Sequence, residues 1–180
     1  MRDDVAADGV GRSANEKPLA LQAALLALEV ALTVAVMLVA VWLVREHAID
    51  WYVVPSGSME ETIHIGDKLI GDKWWWRVDG IKRGDVMTFD GDDGDILVKR
   101  VIGLPGEVVE IDDGLVFIDG DAISEPYAKG ETFDGEVADP ILLGEDEYFM
   151  LGDNRENSAD SRYRGPVRED EMLARVVWIV

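Results

Sequence analysis

The chain has 180 residues, with 37 Asp or Glu against 17 Lys or Arg and a formal net charge of −20. This length suits one modest domain with an accessory segment and excludes a large multidomain enzyme. The negative charge argues against binding to nucleic acid, whose phosphates it would repel. Without cysteine there are no disulfides, thiolate zinc sites or cysteine nucleophiles, and two histidines are too few for a histidine-rich metal centre. We therefore expect no metal or other cofactor.

A long apolar segment, Leu19–Val44, lies near the N-terminus. Roughly 20 residues cross a bilayer, and the stretch from Leu25 to Val44 is that long. A buried core helix is usually shorter or amphipathic, and a cleavable signal peptide has a shorter apolar region after a basic segment. The sequence therefore predicts a tail over residues 1–18, an uncleaved transmembrane signal anchor over 19–44, and a separate domain over 45–180.

The charges that flank this segment predict its orientation. Three basic residues, Arg2, Arg12 and Lys17, precede it, and only Arg45 follows closely. Because basic residues are retained on the cytoplasmic side, we expect a single-pass plasma-membrane protein with a cytoplasmic N-terminus and an extracytoplasmic domain. Within the segment, Glu29 is interpreted as an acid tolerated near the interface, and a contact with a partner helix is the alternative.

The rest of the chain has the pattern of short β-strands separated by turns. The predicted strands are 68–70, 85–89, 96–102, 107–111, 115–118, 148–151 and 175–180. Asp113-Gly114 between two of them is typical of a tight hairpin, and the acidic residues 130–140 are expected to form a surface loop. Because no long helices alternate with the strands, a parallel α/β sheet is excluded. The sequence predicts a mainly β domain built on antiparallel sheet.

Three consecutive tryptophans, Trp74, Trp75 and Trp76, have two interpretations. In the first, alternate rings pack in the core and one ring lies on the surface. In the second, the run forms an edge that dips into the membrane interface, where tryptophan is favoured.

A turn of small residues, Ser56-Gly57-Ser58, would let a substrate backbone approach a hydroxyl group closely. A serine attacks only when a base takes its proton, and His64 and Lys99 are the two candidate bases. Lys99 lies within an apolar strand. If its side chain points inward, desolvation lowers its pKa from about 10.4 and leaves a neutral amine. If the side chain instead reaches solvent, it stays charged, and the residues alone leave this open.

Three segments, in this order, resemble the bacterial type I signal peptidases, which are membrane-anchored Ser-Lys proteases. The segments are Ser-Gly-Ser-Met at 56–59, Lys-Arg-Val-Ile-Gly-Leu-Pro-Gly at 99–106, and Gly-Asp-Asn-Arg through Asp-Ser-Arg-Tyr at 152–163. The resemblance covers about residues 52–180. It implies an antiparallel β-sheet catalytic domain of signal-peptidase type behind the transmembrane helix. Eukaryotic and archaeal relatives have His where Lys99 stands, so the resemblance is to the bacterial type.

The resemblance implies a role for each matching residue of the site. Ser58 would be the nucleophile, and Lys99 would be the neutral general base and later the acid that protonates the leaving amine. Ser56 would donate its hydroxyl to the oxyanion, beside the backbone N–H of Ser58. Ser158 would hydrogen-bond the Lys99 amine and hold it toward Ser58.

Supporting residues and substrate follow from the same resemblance. Structural support is expected from Asp153, Asp160 and Arg162, with the last two as an ion pair. The substrate pockets would be lined by Val54, Met59, Ile63 and Val98. The substrate would be the signal peptide of a secreted preprotein, bound as an added strand and cleaved after small residues at −1 and −3. We expect the enzyme to act as a monomer at the lipid bilayer.

Two features depart from the family pattern. The usual Met-x-Pro-Thr-Leu is replaced by Met-Glu-Glu-Thr-Ile at residues 59–63. The domain is also short, so the large β-ribbon subdomain that is inserted in some relatives must be reduced here. Two other functions are alternatives. A self-cleaving Ser-Lys repressor would carry a DNA-binding module in place of the anchor. An inactive membrane-tethered β domain that binds a partner would be favoured if Ser58 or Lys99 were missing.

Overall fold

The computed structural model describes residues 18–91, 94–137 and 139–180. The predicted N-terminal tail, residues 1–18, lies outside the described residues except for Pro18. The chain divides into two units, one that ends at Trp42 and one from Leu43 to Val180. Each unit is described by itself.

Helix α1 (Leu19–His47) has 29 residues, and its part up to Trp42 forms the described helix of the first unit. At 1.5 Å per residue, it is about 44 Å long. Its part from Leu19 to Val44 is long and apolar enough to cross a membrane. The helix runs three residues beyond the predicted boundary at Val44, because Arg45-Glu46-His47 contains neither proline nor glycine and the apolar pattern ends before the helix does.

The second unit is mainly β, as predicted, and every pair of neighbouring strands in it is antiparallel. Its described strands are β1 (Ile49–Val53), β2 (Lys68–Asp72), β3 (Val86–Asp90), β4 (Ile96–Gly103), β5 (Val108–Asp112), β6 (Leu115–Ile118), β7 (Asp121–Ala122), β8 (Ile141–Leu142), β9 (Glu147–Leu151), β10 (Val167–Arg168) and β11 (Met172–Ile179). They form a seven-stranded sheet in the order β1-β2-β11-β3-β4-β9-β10 and a four-stranded sheet in the order β7-β6-β5-β8.

Short helices occupy some of the connections between strands. They are α2 (Trp76–Asp79), α3 (Ser161–Arg164) and two 3₁₀ turns, Arg155–Asn157 and Glu169–Glu171. The predicted surface loop over residues 130–140 contains no helix or strand in its described part.

The predicted hairpin at Asp113-Gly114 joins β5 to β6, with Asp112 paired to Leu115. Both turn residues have positive φ, 45° at Asp113 and 79° at Gly114. Asp and Gly are among the residues that adopt this left-handed conformation most readily, so the local sequence fixes the turn and the register of the smaller sheet.

The sequence pattern missed four strands, β1, β7, β8 and β10. The last three have two residues each, which is too short to show an alternation of apolar and polar residues. β1 begins two residues after α1 ends, so no turn signal separates it from the helix.

The interior of the second unit contains three apolar clusters. One lies among α2, β3, β4, β9 and β11, and another lies between the two sheets around Ile102 and Phe149. The third contains Val54, Met59, Ile63, Leu69 and Val98. It packs the loop that follows β1 against β4, and the candidate site is built at this junction.

The burial of the three tryptophan rings differs from the first interpretation. Trp76 is only 2% exposed and packs in the core, whereas Trp74 and Trp75 are both exposed. The three residues do not form a strand. The carboxylate of Asp72 accepts the backbone N–H groups of Trp74 and Trp75, at 3.0 and 2.9 Å, and so fixes a tight turn before α2. The expected burial of alternate rings is therefore wrong, because one ring is buried and two are on the surface.

Candidate active site

Ser58 lies in the loop between β1 and β2, and residues 152–154, which follow β9, hold the backbone of its turn. Asn154 donates its backbone N–H to the Ser58 carbonyl (3.0 Å) and its side-chain amide to the Gly57 carbonyl (3.1 Å). Gly152 also approaches closely, since a Cβ atom there would lie 2.5 Å from the Ser58 carbonyl oxygen. The segment after β9 therefore fixes the position of Ser58, which is 7% exposed.

Lys99 points inward from β4. Its Nζ lies 2.8 Å from Ser58 Oγ and 3.1 Å from the Val98 carbonyl oxygen, and the residue is 3% exposed. The pKa of the Lys99 amine is lowered from 10.5 to about 8, mainly by burial; the nearby Asp160 carboxylate opposes this shift, and the charges of Arg164 and Arg162 add to it. The net effect makes the neutral, proton-accepting amine accessible near physiological pH.

The other candidate base, His64, is in a different environment. Its side chain is 64% exposed and lies 3.7 Å from Asp67. Among the described residues, no hydrogen bond joins His64 to Ser58. The geometry therefore favours Lys99 over His64 as the partner of the serine.

Two further serines border this pair. Ser56 is exposed, and its hydroxyl donates to Ser58 Oγ at 3.4 Å. Ser158 Oγ is buried and has no hydrogen-bond partner among the described residues. The expected hydrogen bond between Ser158 and the Lys99 amine is therefore not formed in this structure, where the amine contacts Ser58 and the Val98 carbonyl instead.

A family model described as signal peptidase, peptidase S26, matches residues 27–180, which include most of the long apolar helix and the whole second unit. The chain belongs to the signal peptidase family. It is a serine endopeptidase of the kind that removes signal peptides.

Several signal peptidases are similar to this chain. The signal peptidase I of Bacillus licheniformis is 38% identical over 130 residues, with 67% of this chain and 69% of that protein covered. Signal peptidase I T of Bacillus subtilis is 34% identical over 154 residues, with 79% and 78% covered. A crystal structure of a signal peptidase I from Enterococcus faecalis is 31% identical, covers 54% of this chain and 97% of that chain, and has a TM-score of 0.47.

A small cavity of about 30 Å³ opens beside the serine and lysine of this signal peptidase. It is lined by Val54, Pro55, Ser56, Ser58, Met59, Ile96, Leu97, Val98 and Lys99. Three of the four predicted pocket residues are in this lining. The fourth, Ile63, is fully buried in the same apolar cluster and borders a separate groove with Val86 and Val176.

The segment after β9 is braced by buried ion pairs. Arg162 contacts both carboxylate oxygens of Asp160, at 2.8 and 2.9 Å, and Asp160 accepts the Gly152 N–H at 3.0 Å. Arg100 likewise forks onto Asp153, at 2.8 and 2.6 Å, and Thr62 donates its hydroxyl to the same carboxylate. Asp160 and Arg162 pair as the sequence predicted.

Some residues of the site region escaped the sequence analysis. Arg100, Thr62 and Arg155 contact the segments around Ser58 and Lys99. The available signal was Arg100 itself, because an arginine inside an apolar strand indicates a buried acidic partner. Within the described residues, no three His, Asp or Glu side chains lie close enough together to hold a metal ion.

Proposed function

We propose that this protein is a membrane-anchored signal peptidase in which Ser58 attacks and Lys99 acts as the general base. The observation that carries the proposal is the 2.8 Å separation of Lys99 Nζ and Ser58 Oγ in a water-poor environment. The neutral amine takes the hydroxyl proton as Oγ adds to the scissile carbonyl carbon. The resulting ammonium then gives this proton to the amide nitrogen as the C–N bond breaks, and an acyl-enzyme ester on Ser58 remains. Water, deprotonated by the same amine, hydrolyses the ester and frees Ser58.

The oxyanion that forms in each step needs hydrogen-bond donors. We assign this role to the Ser56 hydroxyl and the backbone N–H of Ser58, since Ser56 Oγ lies 3.4 Å from the attacking oxygen and keeps a rotatable donor. One such donor changes kcat by about 10²–10³-fold in other hydrolases.

Ser158 is assigned the role of holding the Lys99 amine during turnover. Its buried hydroxyl has no partner, and a buried unsatisfied hydroxyl is costly, which supports a partner that arrives in another state of the cycle. Asp153, Asp160 and Arg162 are assigned to bracing, because each is a member of a buried ion pair.

Substrate binding is proposed to occur at an unpaired strand edge. β4 pairs with β3 along Ile96–Arg100, but its other neighbour, β9, pairs only from Arg100 onward. The described residues therefore leave Ile96–Lys99 free on one side, next to the Ser58 turn. An extended peptide can pair there through its backbone.

The cavity beside this edge supports cleavage after small residues. Its volume of about 30 Å³ is roughly two to three times the smallest space that holds one water molecule. A methyl group fits such a space, and a larger side chain has to displace Val54, Met59 or Val98. We therefore propose small residues at −1 and −3, with Ile63 as packing behind the pocket wall.

Contact with the lipid bilayer is proposed through α1 and an exposed face of β1 and β11. Trp51 and Trp178 are 61% and 66% exposed and pair with the same residue of β2, Ile70, so their side chains share one face. Val53, Val180, Trp74 and Trp75 are also exposed. Tryptophan favours the membrane interface, and β1 begins five residues after the apolar segment ends at Val44.

The proposed topology has a cytoplasmic tail, a plasma-membrane anchor and an extracytoplasmic catalytic domain that acts as a monomer. Protease added outside intact spheroplasts should digest residues 45–180. Digestion only after lysis would reverse the orientation.

The catalytic proposal is tested by cleavage of a preprotein with the detergent-solubilised enzyme. Ser58→Ala and Lys99→Ala should fall to background, and Ser56→Ala should keep measurable activity. His64→Ala is the matched control and should resemble the wild type. Substantial activity in Ser58→Ala or Lys99→Ala, or its loss in His64→Ala, would refute the assignment of this pair.

A further inference from the structure

We infer that Glu125 and Tyr127 are positioning residues for catalysis, although neither touches Ser58 or Lys99. The inference rests on the proposed roles of those two residues. Both positioning residues lie just after β7, where the chain leaves the smaller sheet. They contact two arginines, and each arginine holds one side of the catalytic pair.

The first contact joins Glu125 to Arg155. Arg155 Nη1 and Nη2 donate to the two oxygens of Glu125, at 2.8 and 2.6 Å, and the side chains are 1% and 9% exposed. Such a two-pronged pair fixes the plane of the guanidinium as well as its distance. The same arginine donates Nε to the Gly152 carbonyl at 3.0 Å. Gly152 is the residue that lies against the Ser58 carbonyl, so Glu125 acts on the position of Ser58.

The second contact joins Tyr127 to Arg100. The Arg100 guanidinium lies 4.0 Å above the centre of the Tyr127 ring, and the Tyr127 hydroxyl donates to Glu125 at 3.2 Å. The ring is thus held by the same carboxylate that holds Arg155. Burial, and next the Glu125 charge, raise the pKa of the Tyr127 hydroxyl, which keeps it a hydrogen-bond donor.

Arg100 transmits this contact to the other member of the catalytic pair. It follows Lys99 in β4, so the two side chains point to opposite faces of the strand. Its guanidinium also forks onto Asp153 and donates to the Gly84 carbonyl at 2.8 Å. An arginine held on three sides restrains the backbone from which the Lys99 amine extends.

One carboxylate and one ring therefore couple the smaller sheet to both catalytic residues. The pairs are buried, and a buried ion pair often adds little to net stability. Its restriction of geometry is a separate contribution, because a displacement of about 1 Å at a catalytic group can cost about 10²-fold in rate. The smaller sheet thus takes part in catalysis through positioning.

The experiment measures steady-state cleavage of a soluble peptide by the full chain in detergent, for Tyr127→Leu, Tyr127→Phe, Glu125→Gln and Glu125→Asp. Tyr127→Leu and Glu125→Gln should lower kcat by about 10–100-fold, with KM within about twofold because no substrate contact is removed. Tyr127→Phe keeps the ring under Arg100 and should retain most of the activity. Glu125→Asp keeps the charge but shortens the fork, and should fall between Glu125→Gln and the wild type.

The matched control is Glu110→Gln, an acid of β5 in the same sheet, which should leave kcat unchanged. The inference is overturned if Tyr127→Leu and Glu125→Gln keep the wild-type kcat while Ser58→Ala is inactive. It is also overturned if Tyr127→Phe loses as much as Tyr127→Leu, because then the ring is not what positions Arg100. Activity in Ser58→Ala would instead refute the proposed function on which this inference rests. If Tyr127→Leu does not fold, the two Glu125 variants decide.

Discussion

At the scale of the residue, Lys99 combines two requirements that usually conflict. The amine must be buried to lose its proton, yet it must reach the oxygen of Ser58. β4 meets both requirements, because it places the side chain inside the domain with Nζ 2.8 Å from that oxygen. Burial disfavours the charged form, so the fold itself favours the neutral amine that the proposed role of Lys99 requires.

The pH dependence follows from the direction of this shift. Because the pKa of Lys99 is lowered to about 8, the neutral, active amine increases as pH rises through that value. We expect kcat/KM to rise about tenfold per pH unit below pH 8 and to level off above it. Lys99→Arg should be nearly inactive, because guanidinium stays protonated at every usable pH. A flat profile from pH 6 to 9, measured with one soluble peptide, would contradict this assignment.

Removal of the Glu60 charge is expected to increase activity, whereas Lys99→Arg is expected to decrease it. A Cβ atom on Gly57 would lie 3.1 Å from the Glu60 carboxylate, and bond lengths then put this carboxylate within roughly 7 Å of the Ser58 backbone nitrogen. A negative charge at this distance opposes the developing oxyanion by about 1–2 kcal/mol. Glu60→Gln should therefore raise kcat by about 5–30-fold, more at low salt than at high salt.

The matched control for Glu60 is its neighbour. Glu61 has its charge opposed by Lys129, 3.1 Å away, so Glu61→Gln should change kcat much less. If Glu60→Gln left kcat unchanged or lowered it at low ionic strength, the carboxylate would not act on the oxyanion.

At the scale of the element, the segment after β9 places Gly152 where no other residue fits. A Cβ atom at this position would lie 2.2 Å from Ser158 Oγ and 2.5 Å from the Ser58 carbonyl oxygen. Gly152→Ala must therefore push the segment away from the Ser58 turn. We expect a loss of at least about 10²-fold in kcat, measured on the soluble peptide.

Gly144→Ala is a suitable control for that change. The nearest atoms to its Cβ belong to the Glu147 side chain, at 3.2 Å, and such a side chain can move aside. Gly144→Ala should keep near-wild-type activity and stability. Full activity in Gly152→Ala would show that Ser58 does not depend on this contact.

The sequence predicted the longer strands because alternation and turn residues are local signals. It could not predict β7, β8 or β10, whose two residues carry no period, nor the burial of Lys99, which depends on what β9 and the Ser58 loop place around it. The Arg155–Glu125 pair spans 30 residues and leaves no mark in any local pattern. The residues alone drew attention to the Ser56-Gly57-Ser58 turn and left His64 and Lys99 open as the base. The separate roles of Ser56, Ser58 and Lys99 were predicted only because their motifs resemble a known family.

At the scale of the whole molecule, a net charge of −20 and an exposed aromatic face are complementary properties. Anionic lipids repel the acidic surface, so the proposed contact with the bilayer is expected at the face that carries Trp51 and Trp178. The charge also keeps separate molecules apart.

Lipid contact at this face predicts that mutations there change cleavage of a membrane-bound preprotein but not of a soluble peptide. Trp51→Ser with Trp178→Ser should lower cleavage of a preprotein in proteoliposomes several-fold, because interfacial contact is lost, and should leave kcat on a soluble peptide unchanged. Leu115→Ser with Leu142→Ser is the control, since both leucines are exposed on the smaller sheet. Equal losses on both substrates would point to damaged folding, and no loss on the preprotein would exclude this face as the lipid contact.

The proposed pairing of the substrate with the free edge of β4 at Ile96–Lys99 would also set the order of events for an exported protein. Only a chain that is still extended around its cleavage point can pair with this edge, because a folded domain has already used its backbone groups. Processing must therefore come before the mature part folds near the junction. A preprotein that folds quickly up to the junction would escape cleavage and stay tethered to the membrane by its own signal peptide.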